Sequence, residues 1–198
     1  MTQKEIWNSK FSKHDFLYGT KPNTYIASQT KQFKKGSKVL CVGEGEGRNA
    51  IFLAKRKFDV SAVDASDVGL NKLEKKAKDE KLSVTIYCED LNDFNSNEKY
   101  DVIVASYFHI PLNQRKKIFS KIESMLKDDG VFVAEFFSTK QLDYSSGGPK
   151  DKELLYTKDE FANYFTLCEK EIKQVVTILD EGKGHQGEAD VIRVSIRK

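Results

Sequence analysis

From Lys38 onward, short apolar runs alternate with longer segments whose apolar residues recur at helical spacing. That alternation is the signature of a largely parallel sheet with helices packed on its faces. Val39 to Val42, Val60 to Val63, Val84 to Tyr87, Val102 to Ala105 and Val131 to Phe137 read as strands one to five, each rich in β-branched or aromatic residues. Between them, Arg48 to Arg56 sets Ile51, Phe52 and Ala54 on one face, and Asp67 to Asp79 sets Leu70, Leu73 and Ala77 beneath a highly charged surface. Pro111 suits a first helical turn and Gly130 the turn before strand five, so a helix is expected from Pro111 to about Lys127.

The pattern changes after strand five. Thr157 and Glu160 have capping-box spacing and open a short helix through Tyr164. Glu171 to Leu179 and Ala189 to Arg197 then read as two strands of an antiparallel hairpin. Their connection, DEGKGHQGE from Asp180 to Glu188, exceeds the roughly two to five residues that hairpins use, and such length points to a functional loop. A second long loop, Ser138 to Tyr156, contains SSGGP, whose paired glycines reach backbone conformations closed to other residues. There is no internal repeat and no Pro- or Ser-rich linker. The 198 residues are read as one domain, with residues 1–35 a helical cover and residues 36–198 the core.

Composition excludes little beyond this. The 33 Lys and Arg against 30 Asp and Glu leave a formal charge of only +3, which is not the clustered basic footprint of a nucleic-acid binder. Cys41, Cys88 and Cys168 are odd in number and far apart, with no CxxC pair, so they read as reduced thiols and neither a disulfide framework nor a metal site. The first residues have no apolar signal-peptide core, and no stretch approaches the roughly 20 apolar residues of a membrane span. A cytoplasmic location is expected, with neither nucleic acid nor membrane as partner, in a monomer or weak homodimer.

The most informative segment is VLCVGEGEGRNAIFLAK, in which strand one enters a Gly-rich turn that opens a helix. Gly43, Gly45 and Gly47 permit a sharp bend and close approach of a ligand, and the helix N-terminus beside them favours a carboxylate or phosphate. The bland reading is a tight turn with no ligand. Strand two ends at Asp64, about twenty residues after Gly43, the spacing at which a carboxylate meets the ribose hydroxyls of an adenosine cofactor. Its other reading, a helix cap, is better filled by Ser66. Strand three ends in Cys88-Glu89-Asp90-Leu91, where Asp90 suits an adenine amino group. A dinucleotide fingerprint needs a third glycine at position 48, and Arg48 stands there, which disfavours a nicotinamide-dependent oxidoreductase. Glu44 and Glu46 would repel a pyrophosphate but welcome a ligand with an amino group and a sulfonium. S-adenosylmethionine carries both.

Taken together, WNSKF, YGTKPN, GEGEGRNAIFLA, VDAS, CEDL, DVIVASYFHIP, the GGP loop and DEGKGHQGEADVIRV make the chain resemble the class I S-adenosylmethionine-dependent methyltransferases, in their TehB-like (tellurite-resistance and thiopurine-methyltransferase-like) branch. The resemblance covers nearly the whole chain. It implies an α/β, Rossmann-like, doubly wound sheet of seven strands in the order 3-2-1-4-5-7-6, strand seven antiparallel, with helices on both faces. It implies further that Gly43 to Gly47 hold the methionine moiety, Asp64 the ribose, and Asp90 with Leu91 the adenine, with Glu44, Arg48, Ala65, Ser66, Glu89 and Ser106 also in the cofactor site. Ser106 to His109 would lie beside the transferable methyl, and Phe16 to Asn23 would cover the site. Where the family commonly has DxGxGxG, this chain has Val42-Gly43-Glu44-Gly45, so its acid is displaced to Glu44.

Methyl transfer needs alignment and exclusion of water more than acid-base machinery. The expected acceptor is a small molecule: a thiol, or a selenium or tellurium oxyanion, with S-adenosylhomocysteine as the other product. His109 and His185 fall at the expected mouth of the pocket and are candidates for binding or deprotonating the acceptor; their bland readings are a strand-end histidine satisfied by backbone and a solvated loop residue. Tyr18, Tyr107 and Phe108 are candidates for an aromatic wall around the sulfonium, with Tyr18 also a catalytic candidate. His14 and the run from Lys72 to Lys81 read as solvated surface. The alternative to catalysis is a binding protein for the same cofactor, a sensor or partner.

Overall fold

The computed structural model describes residues 2–165 and 169–198. Strands β1 (Lys38–Val42), β2 (Asp59–Asp64), β3 (Thr85–Cys88), β4 (Tyr100–Ser106), β5 (Leu126–Phe137), β6 (Glu169–Glu181) and β7 (His185–Arg197) form one sheet in the order β3-β2-β1-β4-β5-β7-β6. The first five run parallel, and β7 lies antiparallel between β5 and β6. Registers such as Asp64↔Cys88, Val42↔Val63 and Val42↔Ala105 bring the carboxyl ends of β1 to β4 to one edge. The order reverses at β1, so a crevice opens there, the usual position of a ligand in an open α/β sheet.

Helices α3 (Arg48–Lys55), α4 (Asp67–Asp79) and α5 (Leu112–Met125) are the crossovers anticipated from the apolar periodicity, preceded by α1 (Gln3–Phe11) and α2 (Thr24–Gln29) and followed by α6 (Glu160–Tyr164). Two apolar layers cover the sheet. Val39, Cys41, Val60, Ala62, Leu70 and Leu73 form one with α3 and α4. Leu40, Ile103, Phe119, Phe132, Phe136 and Phe161 form the other with α5 and α6. Ser66 caps α4, accepting the Gly69 N–H at 3.1 Å, as expected. Thr157 donates from both its amide and its hydroxyl to the Glu160 carboxylate at the start of α6. Cys41 is buried and Cys88 exposed, both as free thiols, while Cys168 lies outside the described residues.

Two expectations are corrected. The connection expected from Asp180 to Glu188 is mostly strand: Glu181 pairs with His185, leaving only Gly182, Lys183 and Gly184 as the turn. Gly182 opens this turn with φ +61°, a left-handed conformation that glycine adopts without steric cost. His185 is therefore a buried strand residue, not a solvated loop residue. Lys72 also leaves the solvated face: its ammonium donates to the carbonyls of Phe11 and His14 and to Glu46, because α1 and its following segment pack over α4.

Candidate active site

The turn after β1 bends through three left-handed glycines, with φ of +61° at Gly43, +58° at Gly45 and +90° at Gly47. A Cβ on Gly43 would come within 2.5 Å of the Phe108 ring, one on Gly45 within 2.8 Å of Phe11, and one on Gly47 within 2.4 Å of Leu73. The bend is thus dictated by conformation and by space. Asp64 ties it to β2: Oδ2 accepts the Gly45 N–H at 2.9 Å and Oδ1 accepts the Ser66 N–H at 2.7 Å. Burial pushes the Asp64 carboxyl up to about 6 against these two hydrogen bonds.

A cleft of about 1000 Å³, including its open mouth, lies over this turn. Gly43, Glu44, Gly45, Gly47 and Arg48 form its floor, Asp64, Ala65, Glu89, Asp90 and Leu91 one end, and Ser106, Tyr107, Phe108 and His109 a wall. Tyr18 and His185 line it as well, together with Trp7 and Phe11 from α1. Ser66 does not: its side chain is buried, donating to Asn8 at 2.6 Å while capping α4, which leaves it outside the cleft lining where it was expected.

Glu44 caps α3 from within the turn. Its Oε1 accepts the Ala50 N–H at 2.7 Å, and burial pushes its carboxyl up to about 7. The N–H donors anticipated as free for an anionic ligand are thereby partly claimed by the chain itself. Glu46 accepts the Leu17 N–H at 2.8 Å and the Lys72 ammonium at 2.6 Å, fastening the segment after α1 onto the turn.

The two histidines have different surroundings. The His109 ring stacks on Trp7 at 5.7 Å with an interplanar angle of 7°. Burial, with Lys10 nearby, holds it down to about 3, which favours the neutral ring and leaves binding as the role that suits it better than deprotonation. His185 directs Nδ1 at Glu181 Oε2, 3.2 Å away, and its ring lies 4.4 Å from Tyr18 and 4.6 Å from Tyr107. Burial lowers its pKa while Glu181 opposes the shift. Burial also lifts the Tyr18 hydroxyl up to about 12, making it a donor and not a base.

Sequence reasoning missed the polar cluster behind this wall. Glu135 accepts from Asn23, from the Tyr107 hydroxyl and from Arg193, each at 2.7 Å. The available signal was a single carboxylate inside the apolar run VFVAEFF. Tyr107 takes φ +51°, an unfavourable conformation for a non-glycine residue, held by its N–H to the Glu135 carbonyl at 2.8 Å and by this cluster.

Residues 39–130, the span of the glycine turn and the acidic strand ends, match the family model of a methyltransferase domain. Over this span, a little under half of the chain, the sequence is similar to a methyltransferase domain. A protein of Geobacillus sp. described as a methyltransferase is 25% identical over 152 residues, covering 73% of this chain and 60% of that one. TehB of Haemophilus influenzae, described as S-adenosyl-L-methionine-dependent, is 32% identical over 94 residues, covering 48% of this chain and 32% of TehB. The chain thus spans less than two thirds of the length of these curated relatives. In structure, TehB superposes with a TM-score of 0.76 at 20% identity, covering 100% of this chain and 67% of that one. The N-methyltransferase NodS of Bradyrhizobium japonicum, solved with S-adenosyl-L-homocysteine, superposes at 0.74 and 13% identity, covering 100% of this chain and 99% of that one.

TehB is described as S-adenosyl-L-methionine-dependent, and the cleft of this chain has a charge pattern that suits such a ligand. Glu46 is neutralised by Lys72 and Arg48 by Glu181, which leaves Asp64, Glu89 and Asp90 as an acidic end with no ion pair among the described residues. Such a field favours a sulfonium and an amino group over a pyrophosphate. Among the described residues, no helix is long and apolar enough to cross a membrane.

Proposed function

We propose that this chain transfers a methyl group from S-adenosylmethionine to a small, soft acceptor: a thiol, or a selenium or tellurium oxyanion. The observation that carries the reading is the shape and charge of one cleft, acidic beside β2 and β3, glycine-floored at β1, and aromatic past β4. In this reading Asp64 accepts the two ribose hydroxyls, Asp90 with Leu91 frames the adenine, and the turn from Gly43 to Gly47 receives the methionine tail. Residues 1–35 act as cover and residues 36–198 as core. Trp7, Phe11 and Tyr18 then exclude water from the reacting atoms.

When bound, S-adenosylmethionine supplies an electrophilic methyl carbon whose bond to the sulfonium breaks as the acceptor's lone pair forms the new one, leaving S-adenosylhomocysteine. The chain has little chemistry left to do. Thiols ordinarily titrate near pH ~8.5, so a weak, well-aimed base suffices. His185 fits that task, since the Nδ1 contact to Glu181 favours the tautomer whose other ring nitrogen is the acceptor.

Calorimetric titration of the purified chain with S-adenosylhomocysteine, followed by product assay over thiol, selenite and tellurite acceptors, tests the reading. Micromolar-range binding with turnover of at least one acceptor is expected. Absence of binding at millimolar ligand in folded protein overturns it, and binding without turnover across the panel favours a cofactor sensor instead.

A further inference from the structure

Strand β6 forms one edge of the sheet, and its outer side has no strand beside it among the described residues. It pairs with β7 over 13 residues, from Glu169↔Arg197 to Glu181↔His185, with no shift of register and so no bulge. On β7, the Gln186 N–H donates to the Ser146 carbonyl and the Asp190 carbonyl accepts from Ser138, so neither residue bonds to β6. Their partners in the register, Asp180 and Val176, therefore direct N–H and C=O outward, as do Lys170, Ile172, Gln174 and Ile178 by alternation. A row of free backbone donors and acceptors is a template for another strand.

The side chains of these same residues share one face of the strand. Val176 and Ile178 on that face are 55% and 68% exposed, the two most exposed large apolar side chains among the described residues. Sheet edges are ordinarily blunted by a central charge, a proline or a bulge. Here charge stands only at the two ends of the face, Lys170 at one and Asp180 at the other, both exposed. The Lys170 end is covered: its ammonium donates to the Ala162 carbonyl of α6 at 2.9 Å, and Ile172 packs against the apolar layer of α5 and α6. Toward the other end Val176 and Ile178 are left bare, and Asp180 meets only the exposed side chains of Lys21 and Gln186, each at 3.2 Å.

We propose that a second copy of this chain docks on β6, its own β6 lying antiparallel about a two-fold axis through Val175, with Lys170 of each copy opposite Asp180 of the other. In that register Ile172 meets Ile178, Gln174 meets Val176, and outward N–H groups face outward carbonyls. A shift of two residues either way sets a charge opposite an isoleucine, and a shift of one sets outward backbone groups against those already bonded to β7. Glu169 falls opposite Glu181, whose carboxylate is turned inward onto Arg48 and His185. The axis also brings the end covered by α6 in one copy beside the bare isoleucine of the other, so each supplies what the other lacks. Such a contact uses the same patch on both copies and closes at two. A pair of edge strands buries less than the roughly 1,600 Å² of a standard stable interface, so a Kd on the order of 1–100 μM is expected.

Sedimentation equilibrium of the full chain between about 1 and about 300 μM is the test. The wild type is expected to pass from the mass of one chain to that of two. Lys170→Asp and Asp180→Lys should each weaken self-association about fivefold or more, because each turns two opposite-charge pairs into like-charge ones. An equimolar mixture of the two variants should associate within about threefold of wild type, since every cross-strand pair is again opposite in sign. Far-UV circular dichroism checks that the variants fold. Should one fail, the double variant Lys170→Asp, Asp180→Lys serves: it should associate with itself as the wild type does and exclude fluorescently labelled wild type. A wild type that stays monomeric throughout overturns the inference, and so does a dimer that the single variants leave unchanged, that their mixture fails to restore, or whose double variant mixes freely with wild type.

Discussion

Oδ2 of Asp64 accepts the backbone N–H of Gly45 at 2.9 Å, joining the end of β2 to the middle of the glycine turn after β1. One carboxylate therefore both fixes the turn and faces the cleft, so the two halves of the proposed cofactor site cannot move independently. With its other oxygen on Ser66 N–H, Asp64 retains lone pairs for two ligand hydroxyls.

If Asp64 grips the ribose, Asp64→Asn should weaken S-adenosylhomocysteine binding by about 10- to 100-fold, the scale of hydrogen bonds to an ionised group. Hydroxyl donors favour the carboxylate form. Wild-type affinity should accordingly fall as pH drops below about 6, where the free carboxyl titrates, and the asparagine variant should show a flat profile. Calorimetry between pH 5 and pH 8 measures both.

Glu44 gives a stability prediction of definite sign. Its carboxyl titrates at about 7 in the folded chain, above its ordinary value, because it is buried. The native state thus holds a proton that the unfolded chain has already released, so this contribution to stability is present below the ordinary carboxyl range and is lost as pH rises through 7. Relative to wild type, Glu44→Gln should gain on the order of 1–3 kcal/mol between pH 5 and pH 8. Urea denaturation at a series of pH values reads the difference, and parallel curves would refute the assignment.

The Trp7 ring stacks on His109, with centroids 5.7 Å apart. In wild type no imidazole titration of His109 is expected between pH 5 and pH 8, because its pKa sits at about 3. Trp7→Ala removes the covering ring and should bring the pKa up toward the ordinary histidine range. Histidine ring chemical shifts followed by NMR through a pH titration distinguish the two behaviours.

Gly47→Ala should destabilise the fold by about 2–4 kcal/mol, combining a left-handed backbone with overpacking. The added Cβ would meet Leu73 Cδ1 at 2.4 Å and its Cβ at 2.6 Å, and the latter cannot swing away. Thermal or urea unfolding measures this. A change below half a kcal/mol would mean that α3 and α4 separate more easily than their packing indicates.

Much of this protein was legible in its residues taken one after another. The strands β1 to β5, the helix from Asp67 to Asp79 with its Ser66 cap, and the glycine turn follow from local rules of periodicity, capping and backbone freedom. The lining residues Asp64, Glu89 and Asp90 were also legible, because in a parallel sheet the carboxyl ends of neighbouring strands meet at one edge whatever else the chain does. The rest was decided by packing between distant segments. Whether Asp180 to Glu188 is loop or strand depended on pairing with a partner strand, and Lys72 left solvent only because the segment after α1 brought carbonyls and Glu46 to it. His109 and His185 look alike in sequence, yet one stacks on Trp7 and the other contacts Glu181. Nη1 of Arg48, buried with no hydrogen-bond partner among the described residues, belongs to the same class of fact: a missing partner is defined only when every neighbour in space is known, and those neighbours come from β4, β6, β7 and the chain before α2. Sequence determined the scaffold and the cofactor edge, since both arise from short-range patterns; burial and charge pairing, which are sums over three-dimensional neighbours, decided which side chains are free to act.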